Sequence, residues 1–150
     1  PSERKPRKIS RALRYTAAAS LAAFLAACAG TGTQVAGNWQ EIGTTSNGNI
    51  KAAIDKSSIK RNGELATFRD KKTVVKLGEE RFVNTPAYKT AVGEWEIHCR
   101  NKTYRLTALQ LIDERGQVLM NERYTATNLR PMSVMSGTLT EKQFEVVCKK

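Results

Sequence analysis

From Trp39 onward, apolar and polar residues alternate along much of the chain, a pattern that predicts β-strands with one buried face. Strands are predicted at 39–42, at 50–54, from 64 onward, and at 91–99, 104–112 and 118–124. Asn62-Gly63 is a strong hairpin signal before the third of these strands, whose alternation becomes unclear near Asp70. Another turn is expected at 113–116. The pattern thus predicts about six strands, which run antiparallel where short turns join them.

The alternation also assigns a face to one cysteine. Ala91, Trp95, Ile97 and Cys99 share one face of a predicted strand, and the residues between them share the other. Cys99 is therefore expected to point into the core beside Trp95.

A turn is predicted at 55–59, between two strands. Asp55 stands at its start, where its carboxylate can accept backbone N–H groups of the following residues.

Only the C-terminus has helical periodicity. Thr138 and Glu141 fit a capping box, and Phe144, Val147 and Cys148 recur at helical spacing. A helix of about ten residues is marginal alone in water, so it needs the sheet to pack on. The predicted fold class is therefore α+β, with antiparallel strands and a C-terminal helix.

A disulfide between Cys99 and Cys148 would tie this helix to the sheet. It closes a loop of about 50 residues, which stabilises by roughly 4 kcal/mol on the chain-entropy model. The alternative is two buried free thiols.

The first 28 residues predict an export signal. Residues 1–14 are basic, and 15–27 are apolar but too short to span a bilayer, which needs roughly 20 residues. The ending Leu25-Ala26-Ala27-Cys28 matches a bacterial lipobox, which predicts a signal peptide at 1–27 and lipidation of Cys28. Ala29, in place of Asp, favours the outer membrane, and 28–38 is expected to be a flexible tether. The alternative is an Ala-rich helix that happens to end in cysteine.

The charge distribution argues against nucleic acid as a partner. The chain of 150 residues has a formal net charge of +11, but six basic residues lie within the first fourteen. Residues 28–150 contain 19 basic and 13 acidic residues, a net charge of +6. This is a mildly basic domain, so we expect no nucleic-acid binding.

The sequence contains no recognisable catalytic constellation. His98 is the one histidine and adjoins Cys99, but neighbours on a strand point to opposite faces, so they form no nucleophile pair. His98 is expected to be an exposed strand residue. No CxxC pair or known catalytic motif is present, and we predict no enzyme activity, catalytic residue, metal or cofactor.

Five basic residues form a candidate binding patch for acidic glycans or host proteins: Arg69, Lys71, Lys72, Lys76 and Arg81. The alternative is an edge strand protected against aggregation by its lysines. A regular strand places Arg69 and Lys71 on the face opposite Lys72 and Lys76. A patch on one face therefore requires an edge position, a bulge or a strong twist near Asp70.

From Trp39 to Cys148 the chain resembles the surface-adhesin protein E-like family of Gram-negative lipoproteins. The resemblance consists of an opening Trp, an Asp-x-x-Ser-Ile element with a basic-x-Gly turn, a strand ending in cysteine, a Tyr-Arg-Leu strand, a return strand, a Pro bend and a helix ending Val-Cys. The residues that carry it are Trp39, Asp55, Ser58, Ile59, Arg61, Gly63, Cys99, Tyr104, Arg105, Leu106, Val118, Pro131, Val147 and Cys148. The chain departs from the family pattern at Ile54 and Leu129.

The resemblance implies that 39–150 is one such domain: a single antiparallel β-sheet of about six strands with the C-terminal helix packed on it and tethered by the disulfide. It also implies a surface adhesin or host-interaction module that binds extracellular-matrix or serum glycoproteins and is held to the membrane by its N-terminal lipid. The alternative function is a periplasm-facing lipoprotein with an envelope-assembly or enzyme-inhibitor role. The ligand and the oligomeric state stay open, with a homodimer as one expectation.

Overall fold

The computed structural model describes residues 35–125 and 130–149. The predicted signal peptide, Cys28, residues 28–34 of the predicted tether and Leu129 lie outside the described residues. Within the described ranges the chain forms eight strands and one α-helix. These elements are β1 (Trp39–Thr45), β2 (Ile50–Asp55), β3 (Lys60–Asn62), β4 (Leu65–Val74), β5 (Thr90–His98), β6 (Thr103–Ile112), β7 (Val118–Arg123), β8 (Met132–Ser133) and α1 (Leu139–Cys148).

The strands form one antiparallel sheet in the order β1-β2-β4-β5-β6-β7. β2 and β3 pair with successive stretches of β4, because a single 3-10 turn at Lys56–Ser58 separates them. β8 pairs with the first residues of β6. The predicted α+β fold, with a sheet of about six strands and a C-terminal helix, is confirmed.

α1 lies on one face of the sheet, over β1 and β4. Its Val147 belongs to a core cluster with Ile54, Ala66, Phe68 and Ile97, each of which is at most 3% exposed. The side chains of β2 and β4 that alternate with these therefore lie on the opposite face of the sheet. We call this opposite face the helix-free face.

Both ends of α1 are fixed as the sequence predicts. The Thr138 hydroxyl accepts the Glu141 N–H at 3.2 Å, and the Glu141 carboxylate accepts the Gly137 N–H at 3.1 Å, which makes a capping arrangement. A disulfide joins Cys148 in the last turn to Cys99, directly after β5. The predicted disulfide is therefore present, and the alternative of two free thiols is wrong.

The alternation of β4 does not falter at Asp70; the carboxylate itself faces the helix. Asp70 is 2% exposed and accepts hydrogen bonds from Lys72 Nζ at 2.9 Å, Trp95 Nε1 at 2.8 Å and Gln143 Nε2 at 2.9 Å. Buried carboxylates are tolerated where such donors surround them. β4 pairs with β5 without a register shift and lies inside the sheet, so the suggested bulge and the edge-strand alternative are both wrong.

Other differences from the sequence predictions are local. β1 continues to Thr45, and β8 was not predicted because two residues are too short for a period-2 signal. His98 is half-buried, not exposed, because Leu65 of β4 and Thr103 of β6 flank it in an interior strand. Residues 35–38 belong to the same compact unit as the strands that follow them.

Candidate binding surface

The helix-free face carries two neighbouring rows of side chains across the sheet. The strand register fixes both rows, since residues paired on adjacent strands lie side by side on one face. One row runs Asp55, Arg69, Glu94, Ala108, Arg123, and the other runs Glu41, Ala53, Lys71, Val92, Gln110, Asn121.

Asp55 accepts more hydrogen bonds than the other carboxylate of the first row, Glu94. Its side chain is 4% exposed and accepts hydrogen bonds from Asn38 N at 3.0 Å, Ser57 N at 3.1 Å, Ser57 Oγ at 2.6 Å and Arg69 Nη2 at 2.7 Å. Burial raises the pKa of Asp55, but these hydrogen bonds together outweigh it and lower the pKa to about 2. The predicted turn at 55–59 is thus confirmed, with Asp55 as its acceptor.

Residues 35–38 are held against this carboxylate and its arginine. Arg69 donates to the Ala36 carbonyl, and the Lys56 N–H donates to the Asn38 carbonyl at 2.9 Å. A Cβ added at Gly37 would stand 2.8 Å from Arg69 Nη2 and 2.9 Å from Asp55 Oδ2, so only glycine fits without a shift. This end of the predicted tether is therefore part of the folded domain.

Two cationic side chains lie close to the Trp39 ring on the helix-free face. The Arg69 guanidinium carbon lies 4.9 Å from the centroid of the indole ring, and Lys71 Nζ lies 4.5 Å from it. The indole N–H itself donates to the Val35 carbonyl at 2.9 Å. Burial and the nearby charge of Arg69 lower the pKa of Lys71. Among the described residues, no carboxylate lies within ion-pair distance of Lys71.

Two cavities flank these cations. The one beside Trp39, of about 280 Å³, is lined chiefly by Trp39, Glu41, Lys51, Ala53, Lys71 and Thr73. The other, of about 400 Å³, is more polar, and its lining includes Arg69, Val92, Glu94, Gln110, Asn121 and Arg123. Arg123 donates to Glu94 at 2.8 Å at its rim. The arrangement offers charged and hydrogen-bonding groups on a rigid sheet.

The family model for surface-adhesin protein E matches residues 39–149, most of the chain. The chain belongs to the surface-adhesin protein E family. The resemblance drawn from the sequence is thereby confirmed, and membership favours a binding role for this adhesin-family chain.

Solved structures of Haemophilus influenzae protein E share the fold. Its crystal form II has 16% sequence identity and a TM-score of 0.51, with 77% of this chain and 91% of that chain covered. Its selenomethionine form has 14% identity and a TM-score of 0.51, with 77% of this chain and 89% of that chain covered. Among curated proteins, no sequence relative is found.

In this adhesin-family chain, the five residues of the predicted patch do not form one surface. Arg69 and Lys71 lie together on the helix-free face, whereas Lys72 faces α1, 2.9 Å from Asp70 and over the Trp95 ring. Lys76 follows β4 and lies 3.6 Å from Glu79, and Arg81 is exposed in the next loop. The regular geometry of β4 separates them, as expected for an unbulged strand.

Other members of the surface were not predicted as functional residues. Glu41, Lys51, Asn121 and Arg123 come from β1, β2 and β7, up to 82 positions apart in the sequence. Only the cross-strand register brings them beside Arg69 and Lys71. Trp39 was the one available signal, as an aromatic residue opening the domain.

A third cavity, of about 520 Å³, lies beside the disulfide on the other side of the adhesin fold. Its lining includes Arg61, Phe144, Glu145 and Lys149. Arg61 donates a hydrogen bond to the Val147 carbonyl at 3.3 Å and so also satisfies a backbone acceptor at the C-terminal end of α1.

The described ranges contain no cluster of three histidine, cysteine or carboxylate side chains suited to a metal ion. Within them, no helix is long and apolar enough to cross a membrane.

Proposed function

We propose that this chain is a surface adhesin, anchored in the outer membrane by a lipid on Cys28, that binds host matrix or serum glycoproteins through the helix-free face. The observation that carries the proposal is the cluster of Trp39, Arg69 and Lys71 on that face, in a member of an adhesin family. Aromatic and arginine side chains are the usual anchors of protein interfaces.

The anchoring part of the proposal is supported by the lipobox and by the residue after it. Leu25-Ala26-Ala27-Cys28 supplies the acceptor thiol, and Ala29 is compatible with sorting to the outer membrane. The seven residues 28–34 reach at most about 25 Å, so the folded region stays close to the lipid. Intact-mass measurement of membrane-extracted protein tests the anchor. The absence of an acyl mass would exclude it.

The choice of surface is supported by a contrast between the two faces of the sheet. α1 and the disulfide cover one face with the apolar core, whereas the other displays arginine, lysine, asparagine and glutamine side chains around two cavities. The charged rim of such a surface speeds association and adds specificity.

A pair of charge-matched variants tests this surface on intact cells that display the full chain. Lys71→Ser with Arg123→Ser removes two cations from the helix-free face, and Lys76→Ser with Arg81→Ser removes two from elsewhere. We expect the first pair to reduce adhesion to an immobilised extracellular-matrix extract by at least tenfold and the second pair to change it less than twofold. Equal losses for both pairs would contradict a specific surface.

Orientation is tested by protease treatment of intact cells. Cleavage of the chain supports outward display. Protection would favour the periplasm-facing role in envelope assembly or enzyme inhibition, since a periplasmic chain cannot contact host glycoproteins.

The expected homodimer is supported by β7, the last strand of the sheet. Val118 and Leu119 on this strand are 53% and 40% exposed, and an exposed strand edge is a template for pairing. We propose that two copies pair along β7. Analytical ultracentrifugation should give a dimer that Leu119→Lys shifts to monomer. A monomer at all concentrations would exclude it.

A further inference from the structure

We propose that the cavity beside Trp39 is a subsite for one acidic sugar residue of a glycan, with Lys51 and Lys71 binding its carboxylate or sulfate. The inference rests on the proposed adhesin function and narrows its ligand to a chemical class.

The strand register places a small residue, Ala53, at the floor of this cavity. Ala53 of β2 lies between Glu41 of β1 and Lys71 of β4, while Lys51 pairs with Thr73 in the adjacent row. The alanine floor leaves open space between longer side chains on either side. At about 280 Å³, the cavity is near the small end of ligand sites, roughly 300–1,000 Å³, and suits a single sugar ring.

Charge distinguishes Lys71 from the arginines of the helix-free face. Arg69, Arg105 and Arg123 each lie within 2.8 Å of a carboxylate, on Asp55, Glu96 and Glu94 respectively. In the described part of the chain, Lys51 and Lys71 have no such partner within 4.0 Å. Their positive charge is therefore available to an anionic ligand. A charge-assisted hydrogen bond is about twice as strong as a neutral one.

The remaining wall groups favour a sugar over other anions. The indole N–H of Trp39 is engaged by Val35, so the ring contributes its apolar surface to the cavity. The Thr73 hydroxyl and the Glu41 carboxylate can bind hydroxyl groups. Glu41 would repel the closely spaced charges of a nucleic acid or polyphosphate, whereas a sugar carries one acidic group among several hydroxyls.

The probe is a heparin tetrasaccharide, a sulfated uronic-acid glycan, titrated into the full chain by calorimetry. Cellotetraose is the neutral control of equal length, and inorganic sulfate tests the anion alone. We expect heparin tetrasaccharide to bind, more weakly as salt rises, and to bind at least tenfold more tightly than either control.

Variants then assign the binding to the cavity. Lys71→Ser should weaken tetrasaccharide binding about tenfold, the scale of one charge-assisted contact. Trp39→Phe should weaken it less, because an aromatic wall is kept. Lys76→Ser is the matched control, since Lys76 is exposed and does not line the cavity, and it should change binding less than twofold.

The outcomes separate this inference from the proposed function. Absence of tetrasaccharide binding, equal binding of cellotetraose, or equal losses for Lys71→Ser and Lys76→Ser would each overturn the subsite. If cells still adhere to matrix extract in that case, the adhesin function stands and its ligand is of another class. Tetrasaccharide binding without any adhesion to matrix would keep the subsite and contradict the adhesin function.

Discussion

Asp55 and Arg69 form an ion pair of 2.7 Å that links the end of β2 to the middle of β4 and fixes the start of the domain against both. Asp55 holds the Asn38 N–H, and Arg69 reaches the Ala36 carbonyl and the Trp39 ring. The pair thus positions the aromatic residue on which the candidate binding surface depends.

Asp55→Asn should destabilise the domain. The amide lacks the negative charge that accepts hydrogen bonds from Arg69 and Ser57. Its NH₂ group is also a donor, and it would face other donors where the carboxylate oxygen is an acceptor. Hydrogen bonds to charged groups contribute about 1.5–3 kcal/mol, so we expect a loss of about 2 kcal/mol in the free energy of unfolding. Urea unfolding measures it. Asp113→Asn, in an exposed turn, is the control and should cost less than about 1 kcal/mol. Equal costs would show that Asp55 has no special role.

The lowered pKa of Asp55 predicts an acid dependence of stability. Because the folded pKa is about 2, below its usual 3.8, the contribution of Asp55 is fully present above about pH 4. It is lost as the pH falls from about 4 to about 2, since protonation removes the ion pair with Arg69. Unfolding free energies measured across this range should fall less steeply for Asp55→Asn than for the wild type. Parallel curves would contradict this assignment.

Gly93 leaves room for the buried Asp70–Trp95 hydrogen bond. A Cβ at this position would stand 2.6 Å from Trp95 Nε1 and 2.7 Å from Asp70 Oδ1. Gly93→Ala must therefore displace one of them and should cost about 1–3 kcal/mol, as overpacking does. Gly78→Ala is the control, because nothing lies within 4 Å of its added Cβ, and it should be nearly neutral. Thermal melting of both variants checks this, and equal melting temperatures would contradict it.

The sequence predicts those parts of the fold that depend on local pattern. Alternation located the main strands, and the Thr138 capping box located α1. The buried role of Asp70 depends on Trp95 and Gln143, which lie 25 and 73 positions away. A charged residue within an apolar pattern therefore predicts a disturbance of the strand, although the strand is regular.

The candidate surface was predicted only in part, for a related reason. Arg69 and Lys71 could be assigned to one face of β4, but their neighbours depend on strand order. Once β2 and β5 are known to flank β4, Ala53 and Val92 fall on either side of Lys71. The alternation along one strand does not show which strands lie next to it, so the cavity beside Trp39 could not be predicted.

We expect the Cys99–Cys148 disulfide to determine the order in which parts of the domain open. α1 contains ten residues, too few to persist alone, and its buried contacts to the sheet come mainly from Gln143 and Val147. Cys148→Ser should cost about 2–5 kcal/mol, because it removes the loop constraint of 49 positions and releases the end of the helix. We expect hydrogen exchange at the α1 amides to accelerate far more than at β4 and β5, whose pairing does not involve the helix. Arg100→Ser, exposed next to Cys99 and outside α1, is the control and should leave exchange in α1 unchanged. Uniform acceleration across the sheet and the helix would mean that the domain opens only as a whole, and that the disulfide does not hold α1 as a separate element.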